Sequence, residues 1–252
     1  MNIGFLGSGH ITSSIIEGIF KSKLKIKKIY ISPRNKLISK KISKRFKKVT
    51  IAINNQQVID RSNWVFLAVT PQVGSKILSK LKFSKNKKII SLISTINLEK
   101  LKKYTKNKNI SRVIPLPFIG MRKGPIIICP KNNQLKNFFK HLGKVIELKN
   151  EKTSKAFWST SSFMASFYFL LNQTSNWLTS KGIKRKDAED YTRELFLALS
   201  EDAINKNKNS LKQLVLESQT PGGTNAYVLN QLKKKKFYKV QQTVLNSIFK
   251  KF

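Results

Sequence analysis

The sequence predicts an α/β protein: a doubly wound, mostly parallel sheet in its first part, then an all-α part. Three observations predict it. Eight short apolar runs, rich in Ile and Val, recur within residues 1–150. Amphipathic stretches separate several of them, the alternation expected of βαβ units. From about residue 153 the strand-like runs cease and long helical patterns take over. The composition shift places a boundary at 149–152, giving a first domain of 1–150 and a second of 151–252.

The strand runs are 2–6, 28–32, 49–52, 64–69, 88–93, 110–114, 126–129 and 144–147. Each is short and rich in β-branched residues, as strands buried on both faces are. Residues 11–21 and 73–80 carry helical periodicity between strands. The second part reads as helices over 154–180, 185–205, 210–218, 224–234 and 238–252. Lys233 to Lys236 reads as an exposed linker between the last two. No internal repeat is present.

Composition bounds the function. The 252 residues are 40% hydrophobic and 25% charged, ordinary for a globular chain long enough to bury a core. The start has no basic segment and no small-residue cleavage site, so no secretory signal is expected. No uncharged apolar stretch reaches the ~18 residues of a membrane span. Cys129 is the one cysteine, which excludes an intrachain disulfide and four-cysteine zinc sites. A reducing, cytoplasmic setting is expected. The formal net charge is +38, from 50 basic residues against 12 acids. Seven of the 50 are Arg, at 34, 45, 61, 112, 122, 185 and 193, and the rest are Lys spread along the chain. A nucleic-acid reader favours clustered Arg. Lys, Asn and Ile share A/T-rich codons, so a compositional bias accounts for the pattern, and no specific nucleic acid is expected. The field still draws in anionic small molecules.

The first strand runs into Gly7-Ser8-Gly9-His10-Ile11-Thr12, and a helix starts at once. Strand, glycine turn and helix in this order form the dinucleotide fingerprint of a Rossmann-type domain, with Thr12 at the third small position. The first glycine permits the turn. The second lets the backbone approach a pyrophosphate seated on the helix N-terminus. A plain turn is the competing reading. Thr12 is bulkier than Ala, so looser packing of helix on strand is expected.

NAD-specific domains use an acid at the end of the second strand. Between Glu17 and Asp60 this chain has no Asp or Glu. The strand ends instead at Ser32, Pro33, Arg34, Asn35 and Lys36, of which Ser32, Arg34, Asn35 and Lys36 suit a 2′-phosphate, Arg34 by a forked contact. NADP is therefore expected over NAD, unless Arg34 is one more solvated cation. The strand at 64–69 ends in Ala68, Val69, Thr70, Pro71 and Gln72, and in open parallel sheets ligands bind at such carboxyl ends.

The chain resembles the pyrroline-5-carboxylate reductase family over most of its length. The opening IGFLGSGHITSSIIEGI is similar to the family's. SPR, LAVTPQ and RVIPLP resemble three further segments, and QTPGGTNAYVLNQL resembles its Ser-Pro-Gly-Gly-Thr-Thr loop. GIKRKDA and the helix after it fit the family's dimerisation domain. The resemblance implies a Rossmann domain followed by an all-α dimerisation domain that interlocks with a second subunit, hence a dimer or dimer-based homo-oligomer. It implies NADPH as cofactor, held by Gly7, Ser8, Gly9, His10, Ile11, Ser32, Arg34, Ala68, Val69 and Pro71; the family usually carries Asn where His10 stands. It implies an anionic small-molecule substrate at Thr220, Pro221, Gly222, Gly223 and Thr224. Thr224 and Ser162 are the implied catalytic hydroxyls.

The chain departs from the family pattern at Leu116 and Pro117, where the family has Asn-Thr. It departs again over 160–166, where TSSFMAS replaces Ser-Gly-Ser-Gly-Pro-Ala-Tyr and leaves Ser162 as the nearest hydroxyl. At the loop, Thr220 and Asn225 replace Ser and Thr.

The expected activity is NADPH-dependent reduction of a cyclic imine, 1-pyrroline-5-carboxylate to proline. A protonated imine accepts hydride with little acid–base help, so the protein mainly orients the ring and binds its carboxylate. The four acids of the first 150 residues are scattered and form no metal pattern. Neither a G-x-S-x-G elbow nor a Walker loop is present. Paired glycines before a helix leave N–H groups for a carboxylate, although a Pro-Gly-Gly turn with Thr224 as helix cap reads equally well. His141 reads as helix surface, Cys129 as buried strand, and Asp187, Glu189 and Asp190 as helix-start acids. Residues 156–171, mixing Phe, Trp and Tyr with small residues, read as a buried, dimer-forming helix. The alternatives are a related reductase of another imino or keto acid, and a non-catalytic cofactor- or nucleic-acid-binding relative.

Overall fold

The computed structural model describes residues 1–251. It divides into two compact units, Met1–Trp158 and Ser159–Lys251. The first alternates strands and helices: β1 (Asn2–Leu6), α1 (His10–Lys21), β2 (Lys28–Ile31), α2 (Lys36–Arg45), β3 (Val49–Ile51), α3 (Asn55–Asp60), β4 (Trp64–Leu67), α4 (Pro71–Ile77), β5 (Lys88–Ser91), α5 (Leu98–Thr105), β6 (Ile110–Ile114), β7 (Pro125–Cys129), α6 (Asn133–Phe139) and β8 (Lys144–Glu147). A short helix, α7 (Ser154–Thr160), follows.

One eight-stranded sheet organises the unit, in the order β3-β2-β1-β4-β5-β6-β7-β8. Strands β1 to β6 are parallel. Strand β7 turns back antiparallel to β6, and β8 runs parallel to β7. The order reverses beside β1, between β2 and β4, so β1 ends at the topological switch point.

The strand alternation feeds two cores, one on each face of the sheet. Ile3, Phe5, Phe66, Ile90 and Val113 pack with Ile15 and Ile16 of α1 and with Phe138 and Phe139 of α6. Leu6, Val65, Leu67 and Ile89 pack with Val58, Ile59 and Leu101 on the other side. Phe5 and Phe66 are paired in register across β1 and β4, and their rings stack 4.6 Å apart. Each such side chain contributes about 1.5–3 kcal/mol on full burial. That burial is why continuous apolar runs were readable as strands.

The second unit is helical: α8 (Met164–Ser180), α9 (Arg185–Asn205), α10 (Leu211–Glu217), α11 (Thr224–Lys234) and α12 (Phe237–Phe249). Lys233 and Lys234 close α11, and Lys236, in the left-handed region at φ 59°, turns the chain into α12. The expected single helix over 154–180 is broken by a 3₁₀ turn at Ser161–Phe163. Thr160, Ser161 and Ser162 are poor helix formers whose hydroxyls compete for backbone groups, which favours a break there. Ala188, Thr192 and Ser175 are buried, whereas Phe169, Trp177 and Tyr191 are each about 60% exposed. Among the described residues no helix is long and apolar enough to cross a membrane.

Candidate functional site

The turn after β1 is where the sequence places it, and two glycines do different work there. Gly7 sits at φ +111°, which side-chain-bearing residues rarely adopt. A Cβ on it would also run into the Ala68 carbonyl, so β1 and β4 approach at this point as only glycine allows. Gly9 has ordinary extended angles, φ −79° and ψ −172°. A Cβ on Gly9 would meet nothing within 4 Å. Conformation does not demand glycine here, and the space beside the backbone is open. That is the opening a pyrophosphate needs to reach the helix.

Helix α1 starts at His10, with Gly9 as a cap that offers no side-chain acceptor. The Ser13 N–H closes the first turn on the Gly9 carbonyl at 3.1 Å. The N–H groups ahead of it are left without intrahelical acceptors, at the positive end of the helix dipole. His10 is exposed on this first turn, and Ile11 is half-buried behind it. Thr12 is fully buried, and its Oγ1 donates to the Gly7 carbonyl at 2.8 Å. The third small position is thus filled by a hydroxyl that ties the helix to the turn, in place of the looser packing expected. The Ser8 Oγ is buried and has no hydrogen-bond partner among the described residues.

The end of β2 is held against this turn. Ser32 is 2% exposed, and its Oγ accepts from the Gly7 N–H at 3.1 Å. The same hydroxyl lies 2.7 Å from Asn55 Oδ1 and 3.3 Å from the Phe5 carbonyl. Ser32 is therefore occupied inside the protein and bears on a ligand through Gly7. Arg34 is exposed, with no hydrogen bond or ion pair among the described residues, and exposed Lys36 begins α2. The Asn35 side chain accepts from the Ile38 N–H and caps that helix. Asn55, the first residue of α3, was not singled out from sequence. Asn54-Asn55 reads there as an ordinary helix cap, and only the fold brings Asn55 to Ser32, 23 residues away.

The end of β4 forms the other wall. The Ala68 N–H donates to the Leu6 carbonyl at 2.8 Å, and Pro71 occupies the first turn of α4. Ala68, Val69 and Pro71 are half-buried. The sheet order β2-β1-β4 thus gathers Gly7, Ser8, Gly9, His10, Ile11, Ser32, Arg34, Ala68, Val69 and Pro71 around one switch point.

In the second unit, residues 218–225 make a tight loop. Gly222 sits at φ +74°, and the Gly223 N–H donates to the Thr220 carbonyl at 2.9 Å. Asn225 Nδ2 donates to the Ser218 carbonyl at 3.1 Å. Gly223, not Thr224, is the cap of α11, and Thr224 is its first helical residue. The capping alternative for Thr224 is therefore set aside; its exposed hydroxyl makes no hydrogen bond among the described residues. Thr220, Pro221 and Gly222 are exposed as well. Ser162 is exposed in the 3₁₀ turn before α8, and among the described residues no hydrogen bond joins it to this loop.

Glu17, Glu147 and Glu151 of the first unit are committed to ion pairs. Glu17 is held below the usual carboxylate range by hydrogen bonds from Lys21 and Arg45, each at 2.9 Å. Glu147 is held down by Lys136 at 3.0 Å and by the Asn132 N–H. Neither is set up as a proton donor. Burial, with the nearby Glu151 charge, pushes the Cys129 thiol up to about 11, so it is no nucleophile at neutral pH. Among the described residues no group of three or more His, Cys, Asp or Glu side chains could hold a metal ion.

Comparison with known proteins follows the same division. A family described as "NADP oxidoreductase coenzyme F420-dependent" matches residues 2–97, and one described as "Pyrroline-5-carboxylate reductase dimerisation" matches 151–252. The pyrroline-5-carboxylate reductase of Pisum sativum is 22% identical over 259 residues, covering 98% of this chain and 92% of that protein. That of Arabidopsis thaliana is 24% identical over 266 residues, covering 98% and 91%. The solved 1-pyrroline-5-carboxylate reductase of Streptococcus pyogenes superposes with a TM-score of 0.85 at 20% identity, covering 100% of this chain and 97% of that one. The Plasmodium falciparum pyrroline carboxylate reductase, solved with NADP bound, gives 0.84 at 20% identity, covering 100% and 96%. The two structural likenesses show a shared fold.

Proposed function

We propose that this chain, which belongs to the pyrroline-5-carboxylate reductase family, reduces 1-pyrroline-5-carboxylate to proline with NADPH. The observation that carries the reading is the open space beside Gly9, at an uncapped helix start between the ends of β2 and β4. Arg34, without a partner among the described residues, stands just past the end of β2, where an NAD-specific domain has a carboxylate.

The roles follow from position. Gly7, Ser8, Gly9, His10 and Ile11 hold the pyrophosphate against the start of α1. Ser32 keeps that turn in place through the Gly7 N–H. Arg34 grips the 2′-phosphate with a forked contact. Ala68, Val69 and Pro71 line the nicotinamide side. NADPH, when bound, supplies the hydride that reduces the C=N bond. The imine nitrogen is basic and arrives protonated, so the depressed carboxylates of Glu17 and Glu147 are no obstacle. Thr220, Pro221, Gly222, Gly223 and Thr224 bind the substrate carboxylate, with N–H groups at the start of α11 facing it. The Thr224 hydroxyl orients the ring nitrogen, and Ser162 supplies a second hydroxyl. The cofactor domain spans 1–150 and the dimerisation and substrate domain 151–252.

The active form is a homo-oligomer, a dimer or an assembly of dimers. The dimerisation match and the exposed Phe169, Trp177 and Tyr191 support this. The dispersed lysines concentrate an anionic cofactor and substrate without serving a specific nucleic acid. A cytoplasmic location fits the single buried cysteine.

The test is NADPH consumption by the purified chain with 1-pyrroline-5-carboxylate, then with a panel of other cyclic imines and keto acids. Turnover with the first supports the proposal. NADPH binding with turnover only on another substrate moves the assignment to that substrate, and failure to bind NADPH removes the enzyme reading.

A further inference from the structure

Arg112 and Glu151 form an ion pair, the guanidinium buried and the carboxylate partly exposed, that the cofactor and substrate roles do not use. Arg112, in the middle of β6, is 4% exposed. One guanidinium nitrogen donates to Glu151 Oε1. The other donates to the carbonyls of Ile93, at 3.1 Å, and of Ser94. The Glu151 carboxylate in turn accepts from the N–H of Leu98, both of its oxygens standing at 3.0 Å. Ile93, Ser94 and Leu98 bracket a single segment, the irregular loop from β5 to α5. Its two ends are therefore fastened to the two halves of one ion pair.

The loop stands at the carboxyl end of β5, next to β4 in the sheet. A Cβ on Gly74 of α4 would lie 2.9 Å from Ile93 Cδ1 and 3.2 Å from Ile96 Cδ1, so the loop packs onto the middle of α4, with Val69 beside it. In a doubly wound sheet the strands from β4 onward receive the second mononucleotide, and those before it the adenine half. Ser94 and Thr95 in this loop are half-buried and exposed, respectively. For stability alone the pair is an inefficient device, because desolvating the Arg112 guanidinium offsets much of what the attraction to a partly exposed carboxylate returns. What a guanidinium adds is several rigidly spaced donors, here directed at three acceptors on two separate segments.

We propose that Arg112 and Glu151 are positioning residues that hold the β5–α5 loop as the wall of the nicotinamide end of the cofactor site. The proposal rests on the reading of the first unit as an NADPH domain. Neither residue touches the cofactor; each acts through the loop backbone. The consequence is selective. Loosening the clasp disturbs the nicotinamide half and leaves the adenine half, held by the ends of β1 and β2, as it was.

The experiment compares the full-length wild type, Glu151→Gln and the double replacement Arg112→Met with Glu151→Leu. The double variant removes both charges of the pair together and keeps the packing volume, so it guards against a simple failure to fold. Each is titrated with NADPH and with adenosine 2′,5′-bisphosphate, and assayed for kcat and KM. In both variants kcat/KM is expected to fall by roughly 10- to 100-fold, the scale of a 1 Å displacement near reacting atoms. NADPH binding weakens, while the bisphosphate Kd stays within about twofold, as for distant independent sites. Recovery of NADPH binding and turnover in the double variant would show that the pair only satisfies its own buried charge, and would overturn the proposal. Equal weakening of both ligands would mean general loosening and would overturn it too. If the wild type binds neither ligand, the cofactor reading itself fails and takes the inference with it.

Discussion

Replacing Gly9 by alanine separates binding from stability in a way the Gly7 replacement does not. At Gly9 the backbone is extended, and the new methyl would meet no protein atom within 4 Å. The fold should register it as a surface substitution, within about 0.5 kcal/mol. The methyl nevertheless fills the space through which a pyrophosphate would reach the start of α1. Loss of one hydrogen bond to a charged group, at about 1.5–3 kcal/mol, weakens NADPH binding by roughly 10- to 150-fold. At Gly7 the same change meets the Ala68 carbonyl and a φ of +111°. Left-handed strain alone costs about 1–2 kcal/mol, and the backbone contact adds to it. A loss of that size lowers Tm by about 2–4 °C per kcal/mol in a chain of this length. The assay is a fluorescence titration with NADPH beside calorimetric melting of both variants. Wild-type affinity in Gly9→Ala would refute the reasoning, and so would a Tm loss in Gly9→Ala equal to that in Gly7→Ala.

Three further outcomes are expected. Arg34→Gln should raise the NADPH Kd by roughly 10- to 100-fold, about 1.5–3 kcal/mol for a lost contact to a charged group, and leave NADH binding unchanged; titration with both nucleotides decides it. Glu17 and Glu147 are both held below the usual carboxylate range, so the folded chain binds their protons less tightly than the unfolded chain does. Their stabilisation is therefore full above the unfolded value of about 4.3 and is lost as pH falls through the lower folded values; a Tm–pH series should show this slope, shallower in Glu17→Gln. Cys129, 1% exposed and with its thiol pushed up to about 11, should resist a thiol reagent at neutral pH in the native chain and react once denaturant is added; rapid native labelling would contradict its burial.

Much of the fold was legible because its signals are local. Buried parallel strands are continuous apolar runs, and all eight are present where those runs lie. The glycine turn was legible because it falls between a strand and a helix. The break at residues 161–163 was hidden inside an apolar stretch whose composition suits a helix, and only three small hydroxyl residues mark it.

Part of the candidate site was not legible, and the reason is distance along the chain. Arg34, Gly9 and Ala68 end up around one point because β2, β1 and β4 are neighbours. Ser32 looks like a ligand contact in sequence, yet the structure turns its hydroxyl inward to Gly7 and Asn55. Thr12 looks too large for its position, yet a hydrogen bond to the Gly7 carbonyl gives its oxygen a place.

By itself, then, the sequence determined the element types, the change from α/β to helical, the glycine turn and the missing carboxylate after β2. Those depend on side-chain chemistry read over a few neighbouring residues. Tertiary structure alone decided that β7 and β8 run against the other six strands, that Asn55 meets Ser32, and that Arg112 and Glu151 clasp the β5–α5 loop. Strand direction and side-chain pairing across 20 or more residues are chosen by the packing of the whole sheet, where burying two apolar faces and satisfying every buried polar group must be solved together.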